Sequence, residues 1–320
     1  WFFGRLGSVE AQEIQKALEK HSACDTSRYN CPFDEWSNYE FDLVYHSSQD
    51  PKWERQKLHI KIDNKILEGE LLFRKDFLEE KRWTLFSLGN GELLEFRRNC
   101  RDTYNYLTQI RSGALFFNYP GVGKSQGWPK KSLILKAYYA LLKLLEDPDG
   151  LGAKDIIGYG WSLGGGVQSE ALQYHPFKTS INYVFVKDRT FSSLVRTIID
   201  VAGTTLSKIS KFSKWDLNSF ASSTWLSKHN IPEVIVQCGF VAYESTIDLE
   251  TNSHFPLKEI SQIRDDVVIT KQASLAKKIL ETPSFPKESQ NLFITKENHS
   301  GRFYLEPLIK TIQNLLRSDY

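Results

Sequence analysis

The residues most capable of chemistry lie in a short glycine-rich stretch near the middle of the chain. Ser162 stands between Gly160 and Gly164, in a G-x-S-x-G pattern. An apolar run with Ile156 and Ile157 precedes it, and a helix-compatible segment follows at once. In this strand–turn–helix context the pattern exposes a nucleophilic serine, because residues without a Cβ let the helix pack closely on the strand. The alternative is a glycine-rich turn without chemistry, and the context favours the nucleophile.

The second candidate is a histidine, because a neutral serine needs a base within hydrogen-bonding distance. Of the seven histidines, His299 alone lies just past a late predicted strand, in the short polar turn at residues 297–301. Its place after Ser162 fits the chain order serine, acid, histidine. We therefore predict His299 as the base. The alternative is a solvated loop histidine.

Several aspartates compete for the acid that would orient the base. Asp265 opens an Asp-Asp-Val-Val-Ile segment shortly before a predicted helix. There its carboxylate can point back into a site, although the position suits a helix cap equally well. Asp188, at the end of a predicted strand, is the alternative acid, and Asp266 and Asp248 are remoter options. We predict Asp265 as the acid.

The oxyanion of an acyl-transfer intermediate needs two fixed hydrogen-bond donors. The backbone N–H of Leu163, directly after the serine, is the first candidate. We expect the second at Asn90, in the turn after the third predicted strand, where Gly89 allows close approach of the backbone. The alternative for that stretch is an ordinary Asn-Gly turn.

Eight predicted strands must position these residues. Apolar patterns place them at residues 58–63, 66–73, 83–88, 114–118, the segment before Ser162, 181–186, 234–238 and 291–295. Predicted helices lie at residues 93–111, 131–146, after Ser162, 191–212, 272–281 and 305–316. The alternation predicts an α/β fold, with a mostly parallel sheet, helices on both faces and an antiparallel N-terminal hairpin. In such a sheet, reactive groups gather at the carboxyl ends of the strands.

The predicted strands also divide the chain. Residues 58–320 form the predicted catalytic domain, and residues 1–57 form an N-terminal extension to which the sequence gives no role. A capped amphipathic helix is predicted over residues 1–20. Residues 191–230 are a possible lid. The loop at residues 239–264 is long for a compact domain.

Composition narrows the classes of function. With 41% hydrophobic residues, 25% charged residues and a net charge of +2, the chain gives no reason to expect a nucleic-acid partner. The four cysteines lack C-x-x-C spacing, so we expect free thiols, no metal and no cofactor. They are Cys24, Cys31, Cys100 and Cys238. No apolar run reaches the length of a membrane span, and we expect neither a transmembrane segment nor a signal peptide.

A competing motif lies at residues 118–125, which differ by one residue from a phosphate-binding P-loop. Asn118 stands where the first glycine would be, ahead of Gly123, Lys124 and Ser125. A P-loop must open a helix at this lysine. Pro129 follows too soon for that, because proline inside a helix costs about 3 kcal/mol. A nucleotide hydrolase is therefore a distant third hypothesis.

The order of these motifs resembles that of the α/β-hydrolase superfamily, from about residue 58 to the end. The motifs are residues 89–92, 118–127, 160–164 and 265–268, and His299. The second motif resembles the turn after strand four in the lipase and thioesterase branch, and residues 188–194 resemble a loop of that branch. The chain resembles the chlamydial 43-kDa family of unknown function and SidB-like Legionella effectors.

The resemblance implies a serine hydrolase that cleaves a carboxylic ester through an acyl-enzyme. It gives Ser162, His299 and Asp265 the roles of nucleophile, base and acid, and Asn90 and Leu163 those of oxyanion donors. The substrate would be a small molecule or a lipid, with a lipid ester or thioester favoured and a short-chain ester open. Peripheral membrane contact is possible. The protein would be cytoplasmic or, as the effector likeness implies, delivered into a host cell.

Three features depart from the superfamily pattern. Leu88 stands where many members have histidine, and Asn298 stands where glycine or alanine usually precedes the catalytic histidine. The long loop before Asp265 is the third departure, and the assignment of Asp265 as the acid depends on where this loop ends.

The alternative function is that of a binding module, a hydrolase fold that is catalytically inactive.

Overall fold

The computed structural model describes residues 39–46, 52–200, 215–240, 254–257, 259–266, 268–285, 290–299 and 306–317. The predicted helix at residues 1–20 lies outside them. The strands are β1 (Tyr39–His46), β2 (Glu54–Ile62), β3 (Lys65–Phe73), β4 (Arg82–Ser87), β5 (Gly113–Phe117), β6 (Asp155–Trp161), β7 (Asn182–Asp188), β8 (Glu233–Cys238), β9 (His254–Pro256) and β10 (Gln290–Thr295). The α-helices are α1 (Leu94–Asn99), α2 (Arg101–Ile110), α3 (Lys131–Glu146), α4 (Leu163–Leu172), α5 (Ser219–Lys228), α6 (Leu275–Leu280) and α7 (Glu306–Arg317), and residues 194–200 are also helical.

The eight predicted strands correspond to β2–β8 and β10, and the prediction of an α/β fold is confirmed. The described chain packs as two compact units. The first holds residues 39–86, 93–156 and 174–182, and the second holds residues 87–92, 157–173 and those described from 183 onward.

The strands of the first unit follow the order β1-β2-β3-β5-β4. The pairs β1–β2, β2–β3 and β3–β5 are antiparallel, and β4 runs parallel to β5. Asp63 and Asn64 join β2 to β3 with φ angles of 49° and 58°, which is the left-handed two-residue turn that suits a twisted hairpin. The predicted antiparallel hairpin is confirmed. β1 lies within the predicted extension and pairs along its whole length with β2.

The helices of the first unit follow their apolar patterns closely. α3 covers residues 131–146, as predicted, and nearly all of its residues are buried. The single helix predicted over residues 93–111 is instead α1 and α2. The two are separated at Cys100, whose φ of −72° and ψ of 125° are extended.

The strands of the second unit follow the order β6-β7-β8-β10-β9. β7 and β10 both pair parallel to β8, and β9 pairs antiparallel to β10. The register places Asp188 opposite Val236 and Thr295 opposite Cys238. Since these strands end at nearly the same level, the loops after β7, β8 and β10 leave the same edge of the sheet.

The described part of the long loop after β8 packs against the rest of the second unit. Although residues 241–253 lie outside the described residues, the loop contains β9 and then returns to the strand end, where Ile263 forms an antiparallel bridge with Gly239. Ile263 and Leu257 are buried in an apolar cluster with residues of β8, β10 and α6. This burial fixes the chain just before the predicted acid.

The predicted lid is described only in part, since residues 201–214 lie outside the described residues. On either side, residues 194–200 are helical, and α5 follows at Ser219–Lys228. The side chain of Asn218 caps α5 by accepting a hydrogen bond from the N–H of Ala221. Among the described residues, no helix has the length and apolar character needed to cross a membrane.

Candidate active site

Ser162 occupies the sharp turn between β6 and α4. Its φ of 53° and ψ of −117° are rare for a residue with a side chain, so the surrounding structure must hold it in place. The Ser162 N–H donates to the carbonyl of Asp188 at 2.9 Å, and the Ser162 carbonyl accepts the Thr190 hydroxyl at 2.7 Å. The predicted strand–turn–helix is therefore present, and β7 fixes the backbone of the turn from one side.

Close backbone contacts explain the glycines of the turn. A Cβ on Gly164 would lie 2.0 Å from the carbonyl oxygen of Ser87 at the end of β4. A Cβ on Gly160 would lie 2.6 Å from the Cα of Gly165. Near the turn after β4, a Cβ on Gly89 would lie 2.4 Å from the ring of Trp161. All three predicted structural glycines therefore stand where a side chain would collide with a neighbour.

His299 connects the serine to a carboxylate. Its Nε2 lies 2.8 Å from the Ser162 Oγ, and its Nδ1 lies 2.9 Å from the Asp266 Oδ2. The His299 and Asp266 side chains are 6% and 0% exposed, so this chain of hydrogen bonds is shielded from water. The arrangement suits an imidazole that donates from Nδ1 to Asp266 and accepts the serine proton at Nε2.

The carboxylate beside His299 belongs to Asp266 and not to Asp265, which the sequence favoured. Asp265 is exposed, and its carboxylate accepts the N–H of Lys271. The Oδ1 of Asp266 accepts the N–H groups of Val268 and Ile269, which leaves Oδ2 for the histidine. The local turn therefore directs the second aspartate of the pair inward. Asp248, a remoter option, lies outside the described residues.

The environment of Asp266 favours its ionised form. Burial opposes ionisation, but the hydrogen bond from His299, the charge of that ring and the N–H groups of Ile269 and Val268 outweigh it and lower the pKa of the carboxyl. A charged carboxylate is what a protonated imidazole needs during acyl transfer.

Backbone pairing at the strand end brings Asp266 into place. The N–H of Phe240 donates to the carbonyl of Gln262 at 2.7 Å, and the N–H of Arg264 donates to the carbonyl of Cys238 at 3.1 Å. Together with the buried Ile263, these contacts fix the chain directly after β8. The length of the preceding loop therefore does not displace the acid.

Asp188, the alternative acid, is engaged elsewhere. Its carboxylate oxygens lie 2.9 and 3.2 Å from Nε and Nη2 of the next residue, Arg189, and Tyr159 donates its hydroxyl to it at 3.0 Å. All three residues are buried. The sequence argument did not consider Arg189 or Tyr159, and the only signal was their position in or directly after a strand that leads to the site.

The predicted oxyanion donors differ in how firmly they are placed. Leu163 is the first residue of α4, so its N–H is among those that lack an acceptor within the helix. This helix end also favours negative charge. Asn90 lies exposed in the turn after β4, next to Gly89. The glycine contacts at Ser87 and Trp161 bring this turn against the serine turn.

The P-loop hypothesis finds no helix where it needs one. Residues 118–125 form a turn after β5, and α3 begins only at Lys131. The N–H of Lys124 donates to the Glu68 carboxylate at 2.8 Å, a group of the same charge as the phosphate that a P-loop would bind. The motif therefore has a structural role in this turn.

A mostly parallel sheet with helices, an antiparallel N-terminal pair and a serine on a sharp strand–helix turn define the α/β-hydrolase fold. Within that fold, the chain belongs to the family described as Chlamydia CHLPS protein (DUF818), which matches residues 33–318. The predicted likeness to a chlamydial family is consistent with this membership.

Other relatives are more distant. The chain is 25% identical over 162 residues to the alpha/beta hydrolase domain-containing protein WAV2 of Arabidopsis thaliana. This match covers 51% of the chain and 46% of the relative, so the chain spans about half of WAV2.

Solved structures with the same fold include two esterases. The Pyrococcus furiosus esterase Pf2001 is 16% identical with a TM-score of 0.56, over 86% of this chain and 95% of that one. Acetyl xylan esterase 1 from Thermoanaerobacterium sp. is 12% identical with a TM-score of 0.58, over 96% of this chain and 93% of that one. At these identities the likeness shows the fold alone.

Proposed function

We propose that the protein is a serine hydrolase that cleaves a carboxylic ester through an acyl-enzyme. The observation that carries the proposal is the buried hydrogen-bond chain from Ser162 through His299 to Asp266. The position of each residue in this chain of hydrogen bonds implies its role. Ser162 is the nucleophile, His299 the general base and acid, and Asp266, in place of Asp265, the group that orients the imidazole.

The reaction runs in two halves. Ser162 Oγ attacks the ester carbonyl carbon while His299 Nε2 takes the hydroxyl proton. The N–H groups of Leu163 and Asn90 receive the oxyanion. The C–O bond then breaks, and His299 protonates the departing alcohol. In the second half, His299 deprotonates a water molecule that attacks the acyl-enzyme, and the Ser162 Oγ leaves with the proton.

The substrate class rests on the solved structures that share the fold. Two solved structures with this fold are named esterases, and a third is a cold-adapted esterase from an Arctic intertidal metagenomic library, with a TM-score of 0.53 and 12% identity. We favour a lipid ester or a thioester, with short-chain esters as the other substrates to test. The likeness to SidB-like effectors, and with it delivery into a host cell, stays a prediction.

The test is labelling with a fluorophosphonate probe, which reacts with an activated serine. The wild-type protein should be labelled, and Ser162→Ala should not. Ser169→Ala is the matched control, because Ser169 is also buried on α4 and donates its hydroxyl within the helix, to the Gly165 carbonyl at 2.6 Å. This control should be labelled like the wild type.

Hydrolysis of p-nitrophenyl esters from acetyl to palmitoyl, and of matching acyl thioesters, then defines the substrate. A folded wild-type protein that is neither labelled nor active on these substrates would overturn the proposal. That result would support the binding module instead.

A further inference from the structure

The turn that carries His299 is held by side chains from three other places in the second unit. Residues 296–298, here called the histidine turn, present three consecutive backbone carbonyls, and each accepts a hydrogen bond from a side chain. The donor and acceptor pairs are Arg264 to Lys296, Cys238 to Glu297 at 3.0 Å, and Arg189 to Asn298 at 2.5 Å. Three successive carbonyls with side-chain donors define the path of the chain up to His299 far more tightly than water would.

Arg189 is the best anchored of these donors. Its side chain is 2% exposed, and its Nε and Nη2 both donate to the Asp188 carboxylate. The remaining arm, Nη1, donates to the carbonyl of Asn298, the residue directly before the histidine. A planar guanidinium can satisfy both partners at once because its donors form a rigid fork. Asp188 is itself fixed by the hydroxyl of Tyr159 at 3.0 Å.

Cys238 reaches the same turn from the end of β8. Its thiol is fully buried and donates to the carbonyl of Glu297, and it also lies 3.6 Å from the Oδ2 of Asp266. Burial, with the charge of Asp266 beside it, raises the pKa of this thiol to about 12, so the proton stays in place at neutral pH. One buried group therefore contacts both the histidine turn and the acid.

We propose that Arg189, anchored on Asp188, is a positioning residue that fixes the backbone before His299 and so keeps the imidazole between Ser162 and Asp266. Cys238 assists through the Glu297 carbonyl. The effect of Arg189 passes through the Asn298 carbonyl. The proposal rests on the proposed hydrolase function and gives Asp188 a part in the site other than that of the acid.

The main test is Arg189→Lys, measured on an ester that the wild type cleaves, with kcat per active serine counted by titration. The ammonium keeps the charge opposite Asp188 but cannot hold the carboxylate and the Asn298 carbonyl in one plane. We expect kcat to fall about tenfold to a hundredfold, the scale on which small misplacements act, with KM changed less than about threefold. Arg196→Lys is the control, since Arg196 is half-exposed and its guanidinium pairs with Asp200 at 3.3 Å.

A second variant distinguishes positioning from simple structural support. Arg189→Ala leaves a cavity of guanidinium shape, and added guanidinium should restore part of its kcat while leaving the wild type unchanged. A purely structural role would lower the amount of active protein but not the rate per titrated serine. If Arg189→Ala does not fold, Arg189→Lys alone decides.

The outcomes separate the two proposals. Wild-type protein without Ser162-dependent labelling would overturn the hydrolase function and the positioning role together. Normal wild-type activity with Arg189→Lys at the wild-type kcat would overturn the positioning role alone, as would a folded Arg189→Ala variant that guanidinium does not rescue.

Discussion

The described residues include two buried pairs of histidine and carboxylate, one in each unit. In the first unit, the Nε2 of His175 lies 2.6 Å from the Oε1 of Glu146. In the second, the Nδ1 of His299 lies 2.9 Å from the Oδ2 of Asp266. All four side chains are almost fully buried, at 0–6% exposure. The pairing of a ring with a carboxylate is the same in both, so this pairing alone cannot mark a catalytic site.

The other ring nitrogen separates the two pairs. In His299 it faces the hydroxyl of Ser162, which stands on a strained turn at the start of a helix. In His175 the second nitrogen is buried without a hydrogen-bond partner among the described residues, and the rings of Tyr139 and Phe177 pack around it. In the proposed mechanism, the pair gains a chemical use because Ser162, whose backbone conformation is rare, places its hydroxyl at the second nitrogen.

The carboxylates are also held differently. Besides His175, Glu146 has a cationic neighbour, Lys143, at 3.2 Å, and so belongs to an ion-pair cluster. Asp266 is held by backbone N–H groups, by one histidine and by the Cys238 thiol. The first arrangement ties elements together, whereas the second fixes one carboxylate toward one ring.

Replacing each histidine in turn gives the largest expected contrast. His299→Ala should lower kcat about 10⁴-fold or more, because the serine loses its base. His175→Ala should leave kcat per folded molecule within about threefold, while the folded fraction falls. Steady-state ester hydrolysis, with the folded fraction taken from circular dichroism, measures both. Equal losses of kcat in the two variants would contradict the assignment of His299 as the base.

Replacing the adjacent residues Asp265 and Asp266 one at a time tests which of the two carboxylates acts with His299. Asp266→Asn should lower kcat about 10³- to 10⁴-fold, because the amide neither stabilises the imidazolium nor selects its tautomer. Asp265→Asn changes an exposed side chain and should lower kcat less than about threefold. The reverse ranking would return the acid to Asp265, the residue that the sequence favoured.

The sequence could not predict which of these two aspartates points toward His299. Ser162 and its glycines carry a local pattern, and His299 stands out by its place after a late strand. Which of two adjacent carboxylates turns inward depends on distant contacts, above all the bridge from Ile263 to Gly239 and the N–H groups of residues 268 and 269. No property of the Asp-Asp pair itself carries that information.

The fold was easier to predict, because burial leaves a periodic pattern in the chain. α3 has the predicted bounds, and the buried strands β6 and β8 contain short apolar runs at residues 156–157 and 234–236. The helix α5 was missed because Ser219–Lys228 is rich in serine and threonine and has no apolar stripe. Its buried serines, such as Ser222 and Ser223, pack inside the fold, so tertiary contacts select that helix.

Removing the carboxylate from the ion-pair cluster of the first unit should lower the stability of the protein but leave its kcat unchanged. Glu146→Gln leaves the buried Lys143 and His175 side chains without their carboxylate partner and should lower the free energy of unfolding by about 3–5 kcal/mol. Glu80→Gln is the control, because its ion pair with Arg111 at 2.8 Å is exposed and contributes about 0–1 kcal/mol. Urea unfolding measures both. Two results would contradict a purely structural role for the His175–Glu146 pair. One is a loss of unfolding free energy in Glu146→Gln no larger than in Glu80→Gln, and the other is a roughly tenfold fall in kcat of the folded Glu146→Gln protein.

The smallest expected effect is the pH dependence that Asp266 gives to stability. Its pKa in the folded protein lies below the ordinary value of 3.8, because its hydrogen bond with His299, the charge of that ring and two N–H groups outweigh the cost of burial. The unfolded chain therefore binds this proton first as the pH falls. The stabilisation from Asp266 is fully present above pH about 4 and is lost as the pH falls through the lower folded pKa.

The wild type should accordingly be more stable than Asp266→Asn near pH 6, and the difference should shrink below pH about 4. Urea unfolding at half-unit pH steps measures the difference. Ser162→Ala is the control: it removes the nucleophile but leaves the contact between His299 and Asp266, so its stability should follow the wild-type pH profile. A difference between wild type and Asp266→Asn that stays constant, or grows as the pH falls, would mean that His299 does not hold Asp266 in its charged form. The second pair would then resemble the first, a buried contact that supports the fold.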